Sequence, residues 1–257
     1  RGLGDVYKRQ LLWWVSSSSD HLMVTQFISA AANGIYTVSY KIPTLISTIS
    51  NIFMQAWQIS AIKENEKKDD NEYPNLVFDA YIRFITLLTG FLLIVIRPFM
   101  SIYVSPDFVE AWKYTPPLII GHAFSTLGTF VGTPYYVYKD MKGNMYSAAS
   151  GAILNLMLNA ILIPTLGVQG AAIATCISYI IVFIYRMVDT RKYVVLNYKK
   201  KEYIAFLGVI LFLLVLCYVE SKWSYIIMAI IYLWLISFNS KMIKSLFKNV
   251  VLKRKNC

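Results

Sequence analysis

The sequence predicts an all-α fold, a polytopic transmembrane helix bundle. Three observations carry the prediction. Apolar residues make up 57% of the 257 positions and charged residues only 15%, where soluble domains run near about 45–50% and 25%. The mean hydropathy is +0.51. The apolar residues also fall in blocks long enough to cross a bilayer, which takes about 20 mostly apolar residues per helix. Those blocks lack the alternating pattern of a membrane β-barrel. A solvated coil is excluded by 19 Tyr, 14 Phe and 6 Trp.

The elements follow in order. Residues 1–10, RGLGDVYKRQ, are charged, meet the first apolar run abruptly and read as a non-native or assembly-derived tail. Eight spanning segments follow: 11–31, 36–60, 76–99, 117–138, 147–164, 170–187, 203–219 and 223–239. The first is the weakest, because SSSSDH interrupts it and sets Asp20 near mid-depth. The second, third and fifth carry polar residues at helical spacing. The sixth carries Gly170, Ala174 and Ser178, a small-xxx-small packing ridge. The last two are almost solid Ile, Leu, Val, Phe and Tyr. Pro43, Pro98, Pro134 and Pro164 lie within or at the ends of spans, where proline kinks or breaks helices.

Net charge is +11. The basic residues sit between and after apolar blocks, so they mark loops facing anionic lipid and not a nucleic-acid surface. With the C-terminus inside the cell, seventeen Lys and Arg face the cytoplasm and three, Arg97, Lys113 and Lys222, face out. That asymmetry predicts a cytoplasmic C-terminus. The domain reading is then 11–190 as a six-helix unit, 191–202 as a basic cytoplasmic linker, 203–239 as two further helices and 240–257 as a basic cytoplasmic tail.

Polar side chains at apolar depth usually face a bundle interior or a wet cavity. Lys41, Thr44, Thr48, Asn51, Gln55 and Gln58 recur every three or four residues, so they share one helical face. Six polar positions headed by a cation predict a wall open to water. Asp79, Arg83, Thr86 and Gly90 form a second stripe, whose first two members are spaced for an i,i+4 ion pair. Ser147, Gly151, Asn155 and Asn159 form a third, with helix–helix hydrogen bonding as its plainest reading. His122 is alone in its span and reads as a structural histidine.

Other chemistry has no motif. There is no GxxxxGK[ST] loop, no HExxH, no Cys/His metal spacing and no GxSxG elbow. Cys176 and Cys217 lie in apolar runs and Cys257 is the last residue, so neither a disulfide framework nor a metal cluster is indicated. No loop is long enough for a soluble catalytic domain, so the chain does not read as an enzyme and calls for no cofactor.

Residues Asn155 to Tyr179 read NLMLNAILIPTLGVQGAAIATCISY. With the mid-span Asp20, GIYTVSYKIP (Gly34 to Pro43) and FMQAW (Phe53 to Trp57), this stretch resembles bacterial polysaccharide repeat-unit flippases of the O-antigen and capsule type. These belong to the multidrug/oligosaccharidyl-lipid/polysaccharide (MOP) exporter superfamily. The family pattern is an Asn pair four apart, Ile-Pro, a Gly-containing turn and G-A-A-x-A-T. Asn155, Asn159, Ile163, Pro164, Gly167, Gly170, Ala171, Ala172, Ala174 and Thr175 match it.

The resemblance implies the C-terminal six-helix lobe of a two-lobed exporter, with two extra C-terminal helices and an N-terminal lobe of the same protein missing from this chain. It implies flipping of a lipid-linked oligosaccharide, carried on undecaprenyl pyrophosphate, across the bacterial inner membrane for cell-surface polysaccharide synthesis. Membrane lipid, a polysaccharide polymerase and glycosyltransferases would be its partners. Lys41 and Arg83 would attract the anionic head group. Thr48, Asn51, Gln55, Asn155 and Asn159 would contact sugar, and Asp20 would serve ion coupling. A cation-coupled multidrug exporter of the same superfamily is the alternative. A membrane sugar ligase or polymerase would need larger outside loops, and a scaffold would need no polar stripe.

Overall fold

The computed structural model describes residues 19–66, 72–194, 200–219 and 221–255, and these are helical apart from short turns, with no strand among them. The tail at 1–10 and the start of the first span lie outside the described residues. Residues 19–27 form helix α1. Ser29, in extended conformation, then caps α2, Ala30–Lys41, by accepting from the Ala32 N–H at 3.1 Å.

The segment 36–60, expected as one span, is two helices. Pro43 has no N–H and cannot continue the ladder of α2, so α3, Pro43–Glu66, starts afresh. The Thr44 hydroxyl donates to the freed Lys41 carbonyl at 2.8 Å. The segment 117–138 divides in the same way. Helix α4, Glu72–Tyr103, contains Pro98, and a 3₁₀ turn over Pro106–Lys113 follows it. Helix α5, Thr115–Val131, opens on two prolines, which suit a first turn whose N–H groups need no partner. It ends at Gly132, and Pro134 starts the short α6, Thr133–Val137.

Asp140 caps α7, Met141–Leu166, through the Gly143 N–H at 2.9 Å. Gly167, with φ +63°, reverses the chain into α8, Val168–Asp189. That backbone region costs a Cβ-bearing residue energy and glycine little. Helices α9, Lys200–Tyr218, and α10, Lys222–Lys255, complete the chain. Among the described residues five helices are long and apolar enough to cross a membrane: Pro74–Tyr103, Met141–Leu166, Val168–Lys192, Lys201–Tyr218 and Lys222–Ser240.

The described residues form two compact units, one drawn from 19–66 with 96–194 and the other from 72–95 with the described residues after 199. The boundary between the units falls inside α4. In the first unit α8 packs on both α5 and α7. Its core includes Val24, Tyr36, Leu118, Ile163, Val168, Ala171 and Ala172. The Gly170 backbone lies so close to α7 that a Cβ there would stand 2.1 Å from the Leu162 carbonyl oxygen. In the second unit α9 packs on α10. Gly90 of α4 lets the Tyr232 ring approach, a Cβ there meeting it at 3.3 Å.

Candidate functional site

Two arrangements of polar residues stand out in the first unit. One is buried and centred on Asp20. Helix α1 presents its carboxylate, 3% exposed, to three other helices. The Thr175 hydroxyl on α8 donates to Oδ2 at 2.7 Å. The Tyr36 and Tyr40 hydroxyls, one turn apart on α2, each approach Oδ2 at 3.3 Å. The Asn159 amide on α7 donates to Oδ1. Asn159 also donates to Asn155 Oδ1 at 3.1 Å, and Asn155 donates to Thr175 at 3.3 Å.

Four donors satisfy Asp20, yet no cationic side chain pairs with it among the described residues. Asn159 Oδ1 is buried and has no hydrogen-bond partner. The cluster therefore gathers a carboxyl group, two amide oxygens and three hydroxyl oxygens, with no cation among the described residues to balance the carboxyl when it is ionised. An uncompensated charge at that depth is costly. The donor set is all oxygen, which suits a proton or a hard cation, not a thiophilic metal. Among the described residues no group of three or more His, Cys, Asp and Glu could hold a metal ion.

The second arrangement is open. Ile46, Ser50, Met54 and Trp57 turn one side of α3 into the core. Leu45, Ile49, Ile52 and Ile59 are exposed on a second side. Thr44, Thr48, Asn51 and Gln55 are exposed on a third, and Lys41 at the end of α2 is exposed too. Gln58 is half-buried at the far end of this stripe. An α-helix with separate core, apolar and polar faces suits a boundary between packed protein, lipid and water.

The sequence-predicted residues thus divide. Thr48, Asn51 and Gln55 share the open stripe of α3, and Lys41, also exposed, ends α2. Asn155 and Asn159, expected to contact sugar, are buried beside Asp20, at 5% and 0% exposure. Arg83 lies in the second unit and is no open cation. Its Nε is 3.3 Å from both Asp79 oxygens, Nη1 donates to Asn239 at 3.0 Å and Nη2 donates to Glu202. Two carboxylates and an amide occupy it. His122 is buried, with Nδ1 2.8 Å from the Ser47 hydroxyl. Tyr36 and Tyr40 were not foreseen as partners of Asp20. Their spacing of four would have set them on one face, but nothing local tells which helix that face meets.

Five helices long and apolar enough to cross a membrane, among the described residues, define the class: an all-helical, multi-pass membrane protein. No family model matches the sequence, and no curated protein matches it. The structure is similar to that of the lipid II flippase MurJ in its inward closed conformation, with a TM-score of 0.66 at 15% identity. The match covers 94% of this chain and 53% of that one. The chain thus spans about half the length of the flippase it matches, and the likeness establishes a shared fold.

Proposed function

We propose that this chain is the C-terminal lobe of a flippase that moves a lipid-linked oligosaccharide, carried on undecaprenyl pyrophosphate, between the leaflets of the bacterial inner membrane. The observation that carries the reading is the exposed polar stripe of α3 headed by Lys41, set on a fold like that of a lipid II flippase. A sugar head group and a pyrophosphate cannot enter hydrocarbon unaided. A polar wall lets the head group cross while the tail stays in lipid. A cation on that wall offsets the phosphate charge. The membrane potential adds about 2.3 kcal/mol per charge per 100 mV in favour of anion export. The protein performs no chemistry on its cargo. In this reading glycosyltransferases build the cargo before it is flipped and a polysaccharide polymerase uses it afterwards.

The Asp20 cluster favours a cation-coupled cycle, in which a proton or Na⁺ stabilises one of the two access states. By itself this feature would equally serve a multidrug exporter of the same superfamily. The Lys41 stripe favours the anionic cargo.

Lys41 provides the test. In the protein expressed in cells that depend on it for repeat-unit export, Lys41→Arg keeps most export, Lys41→Gln loses much of it and Lys41→Glu abolishes it. Surface polysaccharide is measured at matched membrane levels of each variant. Equal export by Lys41→Glu and the parent removes Lys41 from the pathway and leaves packing as the role of the stripe.

A further inference from the structure

The end of the first unit where α5, α7 and α8 meet holds a cation that has no counter-ion among the described residues. Arg186 of α8 is half-buried. Its Nε donates to the Ser147 hydroxyl at 3.0 Å, Nη1 to the Gly128 carbonyl at 3.1 Å and Nη2 to Asn144 Oδ1 at 3.1 Å. All three acceptors are neutral. A guanidinium has five N–H donors, so two are left over.

The carboxylates nearby are engaged elsewhere. Asp189, one turn further along α8, accepts from the Tyr135 hydroxyl at 2.7 Å and from Lys192 at 3.2 Å. Asp140 accepts from the Gly143 N–H, from the Tyr193 hydroxyl at 2.8 Å and from Lys192 at 3.4 Å. Those bonds hold the Asp140 carboxyl below the usual carboxylate range, so it stays charged but already satisfied. Lys139, Lys142 and Arg191 are exposed at the same end. With Arg186 and Lys192 they make five cations against two carboxylates.

The surroundings have the composition of a membrane interface. Tyr136, Tyr138, Tyr146 and Tyr185 are each between 38% and 59% exposed. The Tyr136 hydroxyl accepts from the Asn144 amide at 3.1 Å, which ties the Arg186 cluster to that aromatic rim. Tyrosines at this density sit where head groups meet hydrocarbon. A partly desolvated arginine there is better paired than bare, and its planar fork matches a phosphate's oxygens.

We propose that the phosphate of an anionic phospholipid is the missing counter-ion of Arg186, held at the rim formed by Asn144 and Tyr136. The inference is independent of the cargo assigned above. It also differs from general attraction to a basic surface, because it assigns the main effect to one half-buried residue and not to the exposed lysines.

The test uses the protein in nanodiscs of phosphatidylcholine alone or with an equal part of phosphatidylglycerol. Phosphatidylglycerol is expected to raise the melting temperature of the parent. Arg186→Gln should lose most of that increment, Arg186→Lys should keep part of it, and Lys139→Gln with Lys142→Gln should keep at least half. A photoreactive phosphatidylglycerol on the parent should label peptides containing Tyr136, Asn144 or Tyr185, a readout that needs no variant to fold. An undiminished increment in Arg186→Gln, or labelling confined to other peptides, overturns the proposal. Equal stabilisation by inorganic phosphate in phosphatidylcholine discs overturns the lipid assignment and leaves a simple anion site.

Discussion

Asp20 shows how one residue's meaning depends on its partners. A carboxylate in a run of serines could be a helix cap, a surface residue or a charge at membrane depth. Here it meets Thr175, Asn159, Tyr36 and Tyr40, and none of them neutralises it. Removing the side chain with Asp20→Ala takes an acceptor from four donors, and each buried group left unsatisfied costs about 1–3 kcal/mol. Asp20→Asn keeps the shape and removes the charge. If the cluster binds a proton or Na⁺, the parent's melting temperature in detergent depends on pH or on Na⁺, and Asp20→Asn abolishes that dependence while the protein still folds. Ligand at one hundred times its Kd would stabilise by about 2.7 kcal/mol, enough to read in a thermal melt. An Asp20→Asn protein that keeps the parent's full dependence shows that the ion acts elsewhere.

At the scale of elements, the hairpin of α7 and α8 is set by its glycines. Gly167 supplies the left-handed turn. Gly170 supplies the close approach, since a Cβ there would strike the Leu162 carbonyl, which is backbone and cannot swing away. Gly170→Ala should therefore destabilise by about 1–3 kcal/mol, as overpacking does. Gly208 on α9 is the control, because nothing lies within 4 Å of a Cβ built there. Gly208→Ala should be neutral or stabilise by up to about 1 kcal/mol through helix propensity. Thermal unfolding of the two variants in one detergent checks the pair, and an equal loss in both refutes the close-packing account. Arg83 belongs to this scale as well. Joined to Asp79 on α4, Glu202 on α9 and Asn239 on α10, it links the three helices of the second unit.

For the whole molecule the open question with a sharp answer is orientation. The Lys and Arg distribution predicts that 63–75, 139–146, 187–202 and the tail from 240 face the cytoplasm. Single cysteines at Asn71 and Asn197, in a background without native cysteines, should resist an impermeant thiol reagent in intact cells. Cysteines at Thr165 and Ser221 should react. Labelling at Asn197 reverses the topology and places Arg186 in the outer leaflet.

The all-helical membrane class was legible in the sequence, because hydrophobic block length is a one-dimensional property. The polar stripe of α3 was legible too, since residues three or four apart share a face whatever surrounds them. So were the Asn155 and Asn159 pair and the glycine turn after Pro164. Which polar face stays open and which closes was not legible. Thr48 and Asn155 are equally polar at equal spacing, yet one is exposed and the other buried. Asp20 lies 139 positions from Asn159 and 155 from Thr175, and only the packing of α1 and α2 against the α7–α8 hairpin brings them together. Arg83 looked like a cavity cation because Glu202 stands 119 residues away. Spacing along one helix determines which side chains travel together, whereas contacts across helices determine what those side chains meet.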